Sequence, residues 1–202
     1  NVSWVKADLR KLNDCLRITK LSDTIIQAAA TTSGSKDIIN SPFLHVTDNA
    51  IMNSYLLKAS FVNKIKHFIF TSCTVMYKHS SKPLKENEVD EKKIFKGYYG
   101  VAHTKIYVEK MCKFYSTISN IKFSIIRHSN LYGPNDKFSI SKGHFIGSST
   151  VKVFNKDGDI KIFGKGNEKR DYLYIDDFIN FTKKLISQQK DNFKIYNCTY
   201  GY

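Results

Sequence analysis

Residues 68–77 read FIFTSCTVMY, an apolar run followed directly by small polar residues. The continuous run 68–70 suits a strand buried on both faces, which is typical of parallel sheets. The polar residues from Thr71 onward stand where that strand ends. Because doubly wound sheets bind ligands at the carboxyl ends of their strands, this segment predicts both a fold class and a place for a site. A polar turn that satisfies its own backbone is the alternative interpretation.

Short apolar runs alternate with helical patterns along the rest of the chain, which predicts βαβ units and an α/β fold. The predicted strands are 2–5, 24–28, 68–70, 123–126 and a stretch from Ile195, and the predicted helices are 9–19, 48–63, 99–116 and about 176–189. The pattern loosens over residues 135–170, which hold five glycines. We expect that region to form a cap rather than another βαβ unit.

The composition is that of an ordinary folded chain. Of 202 residues, 42% are hydrophobic and 25% charged, which argues against a disordered, collagen-like or disulfide-stapled protein. The 32 Lys and Arg against 18 Asp and Glu give a net charge of +14. That excess indicates an anionic partner or simply a lysine-rich surface. No basic-aromatic module or recognition helix accompanies it, so we expect no nucleic-acid partner.

The cysteines indicate a reducing compartment. Cys15, Cys73, Cys112 and Cys198 are far apart in sequence, so neither a disulfide framework nor a metal site is predicted, and a cytoplasmic location fits best. No apolar run is long enough to cross a bilayer, and no signal segment opens the chain. The chain starts at Asn1 rather than Met, so we expect a fragment of a longer protein.

A second cluster opens the predicted helix 99–116, where Lys105 follows Tyr98 and Tyr99. A tyrosine four residues before a lysine would share its helical face, and the ammonium would lower the phenol pKa enough for acid or base work. That position holds Val101. Tyr99 lies six residues before Lys105, on another face, and Tyr98 lies seven before, about 10 Å away along the axis. Packed aromatics at a helix start are the alternative interpretation.

Two further clusters follow later predicted strands. Residues 127–134 read RHSNLYGP, which alone is a turn with an aromatic anchor. Residues 164–177 read GKGNEKRDYLYIDD. The Arg170 guanidinium in that stretch could grip a diphosphate with two hydrogen bonds, although an Arg–Asp pair on a loop is more often a surface contact.

Taken in order on alternating strands and helices, the four clusters resemble the NAD(P)-dependent sugar epimerase/dehydratase family, the extended short-chain dehydrogenases. Asp8-Leu9, residues 25–30 and Asn49 also match, so the resemblance covers essentially the whole chain. It implies a Rossmann-like doubly wound parallel sheet that lacks its first βα unit and carries a small C-terminal substrate-binding cap. Residues 132–138, with Gly143-His144 after them, are most similar to the GDP-L-fucose synthase subfamily.

The resemblance also implies an organisation and partners. Residues 1–130 would form the NAD(P)-binding domain, and residues 131–202 the substrate-binding region, with the helix at about 176–189 returning to the first domain. The cofactor would be NAD or NADP, the substrate a nucleotide-diphosphate sugar, and the full-length protein a homodimer formed through the two long helices. No membrane partner is expected.

Site residues follow from the same resemblance. The catalytic set would be Lys105, Tyr99, Ser72, Cys73, Thr74 and His144, with His144 a general acid near the sugar ring or, equally, an ordinary loop histidine. The cofactor set would be Asp8, Leu9, Ala28, Ala29, Ala30, Asn49 and Lys105, with Asp8 near the adenine and Lys105 on the nicotinamide ribose. The substrate set would be Asn130 and Arg170, with Arg170 on the diphosphate.

The chain departs from the family pattern in three ways. The glycine-rich turn that presents a helix N-terminus to the pyrophosphate would precede Asn1. Cys73 stands where the family carries a reactive Ser or Thr, and because a thiol is a weak donor, Ser72 or Thr74 could serve instead. Val101 takes the place of the tyrosine, and Tyr99 could replace it only if the helix began late and the preceding loop folded back.

Thr74-Val75 stands where dehydratases of the family carry Asp-Glu, so dehydration is disfavoured. We therefore expect a nucleotide-sugar epimerase or reductase that transfers a hydride at a keto-sugar carbon. The alternative is a catalytically impaired sugar-nucleotide or dinucleotide-binding relative of the same fold, which Val101 and Cys73 would favour. A nucleic-acid binder is a third possibility that rests on the charge alone.

Overall fold

A computed structural model of the protein describes residues 2–32, 41–155, 160–161 and 164–201. The strands are β1 Thr24–Gln27, β2 His67–Cys73, β3 Lys122–His128, β4 Asn130–Tyr132, β5 Tyr172–Tyr174 and β6 Phe193–Cys198. The helices are α1 Leu12–Thr19, α2 Thr47–Val62, α3 Tyr99–Ile118, α4 Phe145–Phe154 and α5 Ile175–Gln188. Short 3₁₀ turns stand at 42–45, 74–76, 86–88, 91–93 and 96–98.

The main sheet, over the described residues, is parallel throughout and has the strand order β1-β2-β3-β6. Its central strand β2 is buried on both faces, as the apolar run predicts. Phe68 and Phe70 face a core shared with α1, α2 and α3, whereas Ile69 packs with Ile126 and Leu185 on the side of α5. The predicted α/β fold with a parallel sheet is confirmed.

The chain beyond residue 131 returns to this sheet. Asp176 and Asp177 occupy the first turn of α5, where their charges are favourable at the positive end of the helix dipole. The strand after the helix, β6, then pairs with β3. Helix α5 therefore packs on the sheet of the first region, and strand β6 pairs with it. The division into regions 1–130 and 131–202 stays a prediction.

Residues 2–5 are not the strand that their apolar character predicts. They pair with no strand of the described sheet, and the Trp4 side chain is 94% exposed. A strand needs a hydrogen-bonded neighbour. Among the described residues, segment 2–5 has none.

The segment after β4 contains a helix that the loosened pattern does not predict. Helix α4 follows a tight turn in which a side chain at Gly143 would lie 2.4 Å from the carbonyl oxygen of Lys137. A second, two-stranded parallel sheet joins β4 to β5, with Asn130 in register with Tyr172. No helix within the described ranges is long and apolar enough to cross a membrane.

A buried ion pair joins α3 to the sheet. Arg127 of β3 donates from Nη2 to Glu109 Oε2 at 2.6 Å and from Nε to Oε1 at 3.1 Å, and both side chains are 5% exposed. Ser72 donates to the same carboxylate at 2.6 Å. Arg127 Nη1 donates to the Tyr77 hydroxyl at 2.8 Å and to the Glu86 carbonyl oxygen at 2.8 Å. The pair therefore holds the carboxyl ends of β2 and β3 against the helix.

Glu109→Gln should lower the free energy of unfolding by about 3–5 kcal/mol, because it leaves the Arg127 charge buried without a counter-ion. The matched control is Glu91→Gln, which breaks the exposed Lys110–Glu91 pair at 2.7 Å and should cost less than about 1 kcal/mol. Urea unfolding followed by circular dichroism measures both.

If Glu109→Gln fails to fold, the double replacement Glu109→Leu with Arg127→Met decides the question. It removes both charges and should be more stable than Arg127→Met alone. Equal losses in the free energy of unfolding for Glu109→Gln and Glu91→Gln would show that the buried ion pair stabilises the fold no more than the exposed one does.

Candidate functional site

Lys105 reaches from α3 to the carboxyl end of β2. Its Nζ donates to the Thr71 carbonyl oxygen at 2.8 Å and lies 4.7 Å from the centre of the Phe70 ring. Burial lowers the pKa of this ammonium, and the neighbouring Cys73 and Glu109 act in the opposite direction. Among the described residues, one of its three N–H groups has an acceptor, which leaves two for a ligand that carries hydroxyls or other acceptors.

A cavity adjoins Lys105 between the loop after β1, helix α2 and helix α3. Its lining residues are Ala29, Ala30, His45, Asn49, Asn53, Phe70, Val101, Thr104, Lys105 and Val108. Four of the predicted cofactor residues, namely Ala29, Ala30, Asn49 and Lys105, therefore meet around one space. Ala28 stands exposed at the start of the same loop.

Side-chain amides hold this loop in place. The Ala29 N–H donates to Gln27 Oε1 at 3.3 Å, and Gln27 Nε2 donates to Asn53 Oδ1 at 3.1 Å. Asn49 accepts from the Thr31 N–H at 2.9 Å and donates back to the Thr31 carbonyl oxygen at 3.0 Å. The side-chain amides of Asn49 and Gln27 both form hydrogen bonds with the loop. They therefore fix the backbone that lines the cavity.

Asp8 and Leu9 lie near the N-terminus of α2. Arg10 donates to both Asp8 oxygens, from Nε at 3.0 Å and Nη2 at 3.1 Å, and also to Asp48 Oδ2 at 3.1 Å. The hydrogen bonds from Arg10 hold the pKa of Asp8 below its ordinary value. Leu9 packs against the main core. Arg10 thus ties the Asp8 segment to the helix that carries Asn49.

The structure does not bring Tyr99 to Lys105. Tyr99 could supply the phenol that Val101 lacks only if the helix began after Tyr99. Helix α3 begins at Tyr99 itself, so this condition is not met. The Tyr99 ring is 61% exposed and lies 4.3 Å from the His103 ring, centre to centre. Val101 lines the cavity instead. Within the described residues, no tyrosine takes the place of the family's phenol on this helix face.

The three candidates at the end of β2 differ in what they can reach. Ser72 is fully buried and donates to Glu109, so the structure turns it away from the cleft. Cys73 is partly exposed, and burial raises the pKa of its thiol while the Lys105 charge opposes that rise. Thr74 is partly buried at the start of a 3₁₀ turn. Cys73 and Thr74 are therefore the side chains that remain for a ligand.

The predicted substrate residues lie together around Tyr172. Asn130 Nδ2 donates to the carbonyl oxygen of Asp171 at 2.9 Å, one residue beyond Arg170. The ring of Phe145, which follows His144, lies 6.4 Å from the Tyr172 ring. The side chains of Arg170, Asn130 and His144 are all exposed. These residues form a polar rim beyond the end of β3.

Several residues of this edge are not among the site residues predicted from the sequence. Arg127, Glu109 and Gln27 build and support the site, and His128 ends β3 directly opposite Cys73. Position after a strand could have drawn attention to His128. Sequence carries no comparable signal for the Arg127–Glu109 pair, because its partners lie on separate elements.

Comparison with known proteins identifies the family. The model of the NAD dependent epimerase/dehydratase family matches residues 1–199. This chain belongs to that family. In the part of the chain that the structure describes, no group of three or more His, Cys, Asp or Glu side chains could hold a metal ion.

Curated relatives are sugar-nucleotide enzymes. The chain is 28% identical over 160 residues to GDP-L-fucose synthase from Sinorhizobium fredii, which covers 76% of the chain and 50% of that protein. It is 23% identical over 183 residues to GDP-mannose 3,5-epimerase 1 from Oryza sativa subsp. indica, which covers 88% of the chain and 48% of that protein. The chain thus spans about half the length of these relatives.

Solved structures share the fold. UDP-glucose 4-epimerase from Thermotoga maritima, crystallised with UDP-glucose, matches with a TM-score of 0.85 at 23% identity over 100% of this chain and 64% of that one. A GDP-L-fucose synthetase from Naegleria fowleri bound to NADP matches with a TM-score of 0.82 at 20% identity, over 96% of this chain and 66% of that one.

Proposed function

We propose that the full-length protein is a nucleotide-sugar epimerase or reductase that uses NAD or NADP for hydride transfer at a keto-sugar carbon. The observation that carries the proposal is the Lys105 ammonium, held at the carboxyl end of β2 by Thr71 and open to the cavity lined by Ala29, Ala30 and Asn49. Family membership supports the same activity.

The residues present fit a nicotinamide dinucleotide. A dinucleotide offers ribose hydroxyls, and Lys105 retains two N–H donors for them. The backbone of the loop at Ala28 to Ala30 is pinned by Gln27, which allows close approach of a ligand without reordering. When bound, the dinucleotide supplies a hydride acceptor and donor. In this chain Asp8 and Leu9 would meet the adenine end.

The polar rim would hold the sugar nucleotide. Arg170 presents an exposed guanidinium for the diphosphate, where bidentate hydrogen bonds are strongest. Asn130 would fix the sugar, and His144, at the N-terminal boundary of α4, would face the ring as a general acid. The substrate is a nucleotide-diphosphate sugar in this proposal, and the free cysteines suit a reducing cytoplasm.

Lys105→Met should weaken NADP or NAD binding by at least about tenfold, since it removes two charge-assisted hydrogen bonds while keeping the side-chain length. The matched control is Lys110→Met, an exposed lysine on the same helix, which should leave the dissociation constant within twofold. Isothermal titration of the full-length protein with each dinucleotide measures the effect.

Absence of binding of both dinucleotides to the unmodified protein would overturn the proposed function. Binding without turnover of any sugar nucleotide would instead favour the alternative, a catalytically impaired relative. The Val101 side chain in the cavity is the observation that supports this alternative.

We further propose that the full-length protein is a homodimer formed by α2 and α3. Both helices carry exposed apolar side chains, and the Phe61 and Tyr115 rings lie 5.7 Å apart and join the two rows. The exposed residues are Ile51, Tyr55, Phe61, Val62, Tyr107, Phe114 and Ile118. A patch of this kind on adjacent helices suits a second copy of the same surface.

Phe114→Glu should shift the protein from dimer to monomer, because it places a charge in the centre of a surface that the dimer would bury. Phe154→Glu is the control, since Phe154 is also an exposed phenylalanine but ends α4, outside the patch on α2 and α3. Sedimentation velocity at micromolar concentration distinguishes the two states. A wild-type protein that is already monomeric, or a dimer that survives Phe114→Glu, would contradict the assignment.

A further inference from the structure

His128 is the last residue of β3 and lies in register with Cys73, the last residue of β2. Neighbouring strands are about 4.8 Å apart, and residues in register on parallel strands point to the same face. The His128 ring contacts Phe178 of α5, with ring centres 5.6 Å apart. The charge of Lys105 acts on both His128 and Cys73. An imidazole and a thiol thus end neighbouring strands at the carboxyl edge of the sheet, which the Lys105 ammonium also reaches through its bond to the Thr71 carbonyl oxygen.

One hydrogen bond fixes the tautomer of this imidazole. His128 Nδ1 lies 2.7 Å from the Ser129 carbonyl oxygen. A carbonyl oxygen only accepts, so Nδ1 carries the proton, and in the neutral ring Nε2 keeps its lone pair. Nε2 has no hydrogen-bond partner in the described part of the chain and is not among its fully buried polar atoms. It is an oriented base with a free acceptor site.

Besides Cys73 and Thr74, three hydroxyl groups near this edge are engaged or lie outside the cavity. Tyr77 donates to Asn197 Oδ1 at 2.7 Å and accepts from Arg127, and burial raises its pKa. Ser72 is bonded to Glu109, and the Tyr99 ring lies outside the cavity. With Val101 in place of a tyrosine, no phenol of the described residues lines the cavity beside Lys105.

We propose that His128, through Nε2, is the proton-transfer residue of this site and performs the task for which the helix offers no tyrosine. The proposal rests on the proposed function. In oxidation of a sugar alcohol, the O–H proton passes to Nε2, the carbon–oxygen double bond forms, and the hydride that leaves the same carbon is taken up by a nicotinamide dinucleotide. In reduction, the imidazolium returns its proton to the carbonyl oxygen as the carbon receives a hydride.

The surroundings favour the neutral form of the ring. Burial lowers the pKa of His128 below its ordinary value, the Lys105 charge from α3 lowers it further, and the bond to the Ser129 carbonyl acts in the opposite direction. The groups in register on the flanking strands, Cys73 of β2 and Cys198 of β6, are thiols with raised pKa values. Lys105 is therefore the charged neighbour, and removing it should raise the pKa of His128.

The first measurement is long-range ¹⁵N–¹H NMR of the full-length protein with labelled histidine. We expect the His128 resonance to show Nδ1 protonated and Nε2 unprotonated at pH 7, a pKa below 6.5, and an upward shift of that pKa in Lys105→Met. A neutral ring protonated at Nε2 instead of Nδ1 would overturn the proposal. An unchanged His128 pKa in Lys105→Met would overturn it as well.

The second measurement is turnover of GDP-mannose, UDP-glucose and their 4-keto derivatives. Net oxidation or reduction is followed through dinucleotide absorbance at 340 nm, and epimerisation is followed by chromatography of the sugar-nucleotide products. His128→Gln should lower kcat at least about 100-fold, abolish the fall of the rate below pH 6.5, and leave the dinucleotide dissociation constant within twofold. The control is His79→Gln, an exposed histidine, which should leave kcat and the pH profile unchanged.

The outcomes separate the two proposals. If the unmodified protein binds no dinucleotide, the proposed function fails. If it binds the dinucleotide and turns over a sugar nucleotide, but His128→Gln keeps kcat, the assignment of His128 fails alone. Binding without turnover of any sugar nucleotide favours the catalytically impaired relative and overturns both proposals.

Discussion

The contact on which the site depends is the buried pair between Arg127 and Glu109. Breaking one side of such a pair leaves a charge without water or a partner, which costs far more than an exposed pair contributes. Ser72 bonds to the same carboxylate and Tyr77 to the same guanidinium. The pair therefore fixes how the ends of β2 and β3 sit against α3, and it does so beneath the surface where a ligand would lie.

That contact also sets the rotation of α3. Val101, Lys105 and Glu109 follow one another at four-residue intervals, so they share one face of the helix. With Glu109 held by Arg127 and Lys105 held by the Thr71 carbonyl, the residue one turn earlier must face the cavity, and that residue is Val101. Tyr99 stands about 200° around the helix from Val101, which explains its exposure and its contact with His103. The helix register therefore leaves no tyrosine facing the cavity at position 101. In our proposal, His128 at the end of β3 transfers the proton instead.

Much of this could be predicted from the sequence where neighbours along the chain decide the structure. The apolar run 68–70 is a buried strand, and the helical spacing from Asp48 onward is α2. The segment 2–5 has the same apolar character, but it pairs with no strand among the described residues. The tautomer of His128, the loop held by Gln27 and Asn49, and the Arg127–Glu109 pair depend on contacts between distant elements. No local pattern of residues encodes them, so only the structure shows which polar groups are free and which are engaged.

The rotation of α3 turns Tyr99 away from the cavity, and we expect the Tyr99 hydroxyl to take no part in the chemistry of the site. Turnover of the full-length protein compared with Tyr99→Phe tests it most directly, because the substitution removes a single hydroxyl from an exposed ring. We expect a kcat within twofold of the unmodified protein and an unchanged pH profile. A loss of about 100-fold or more, the size expected when a general acid or base is removed, would contradict it.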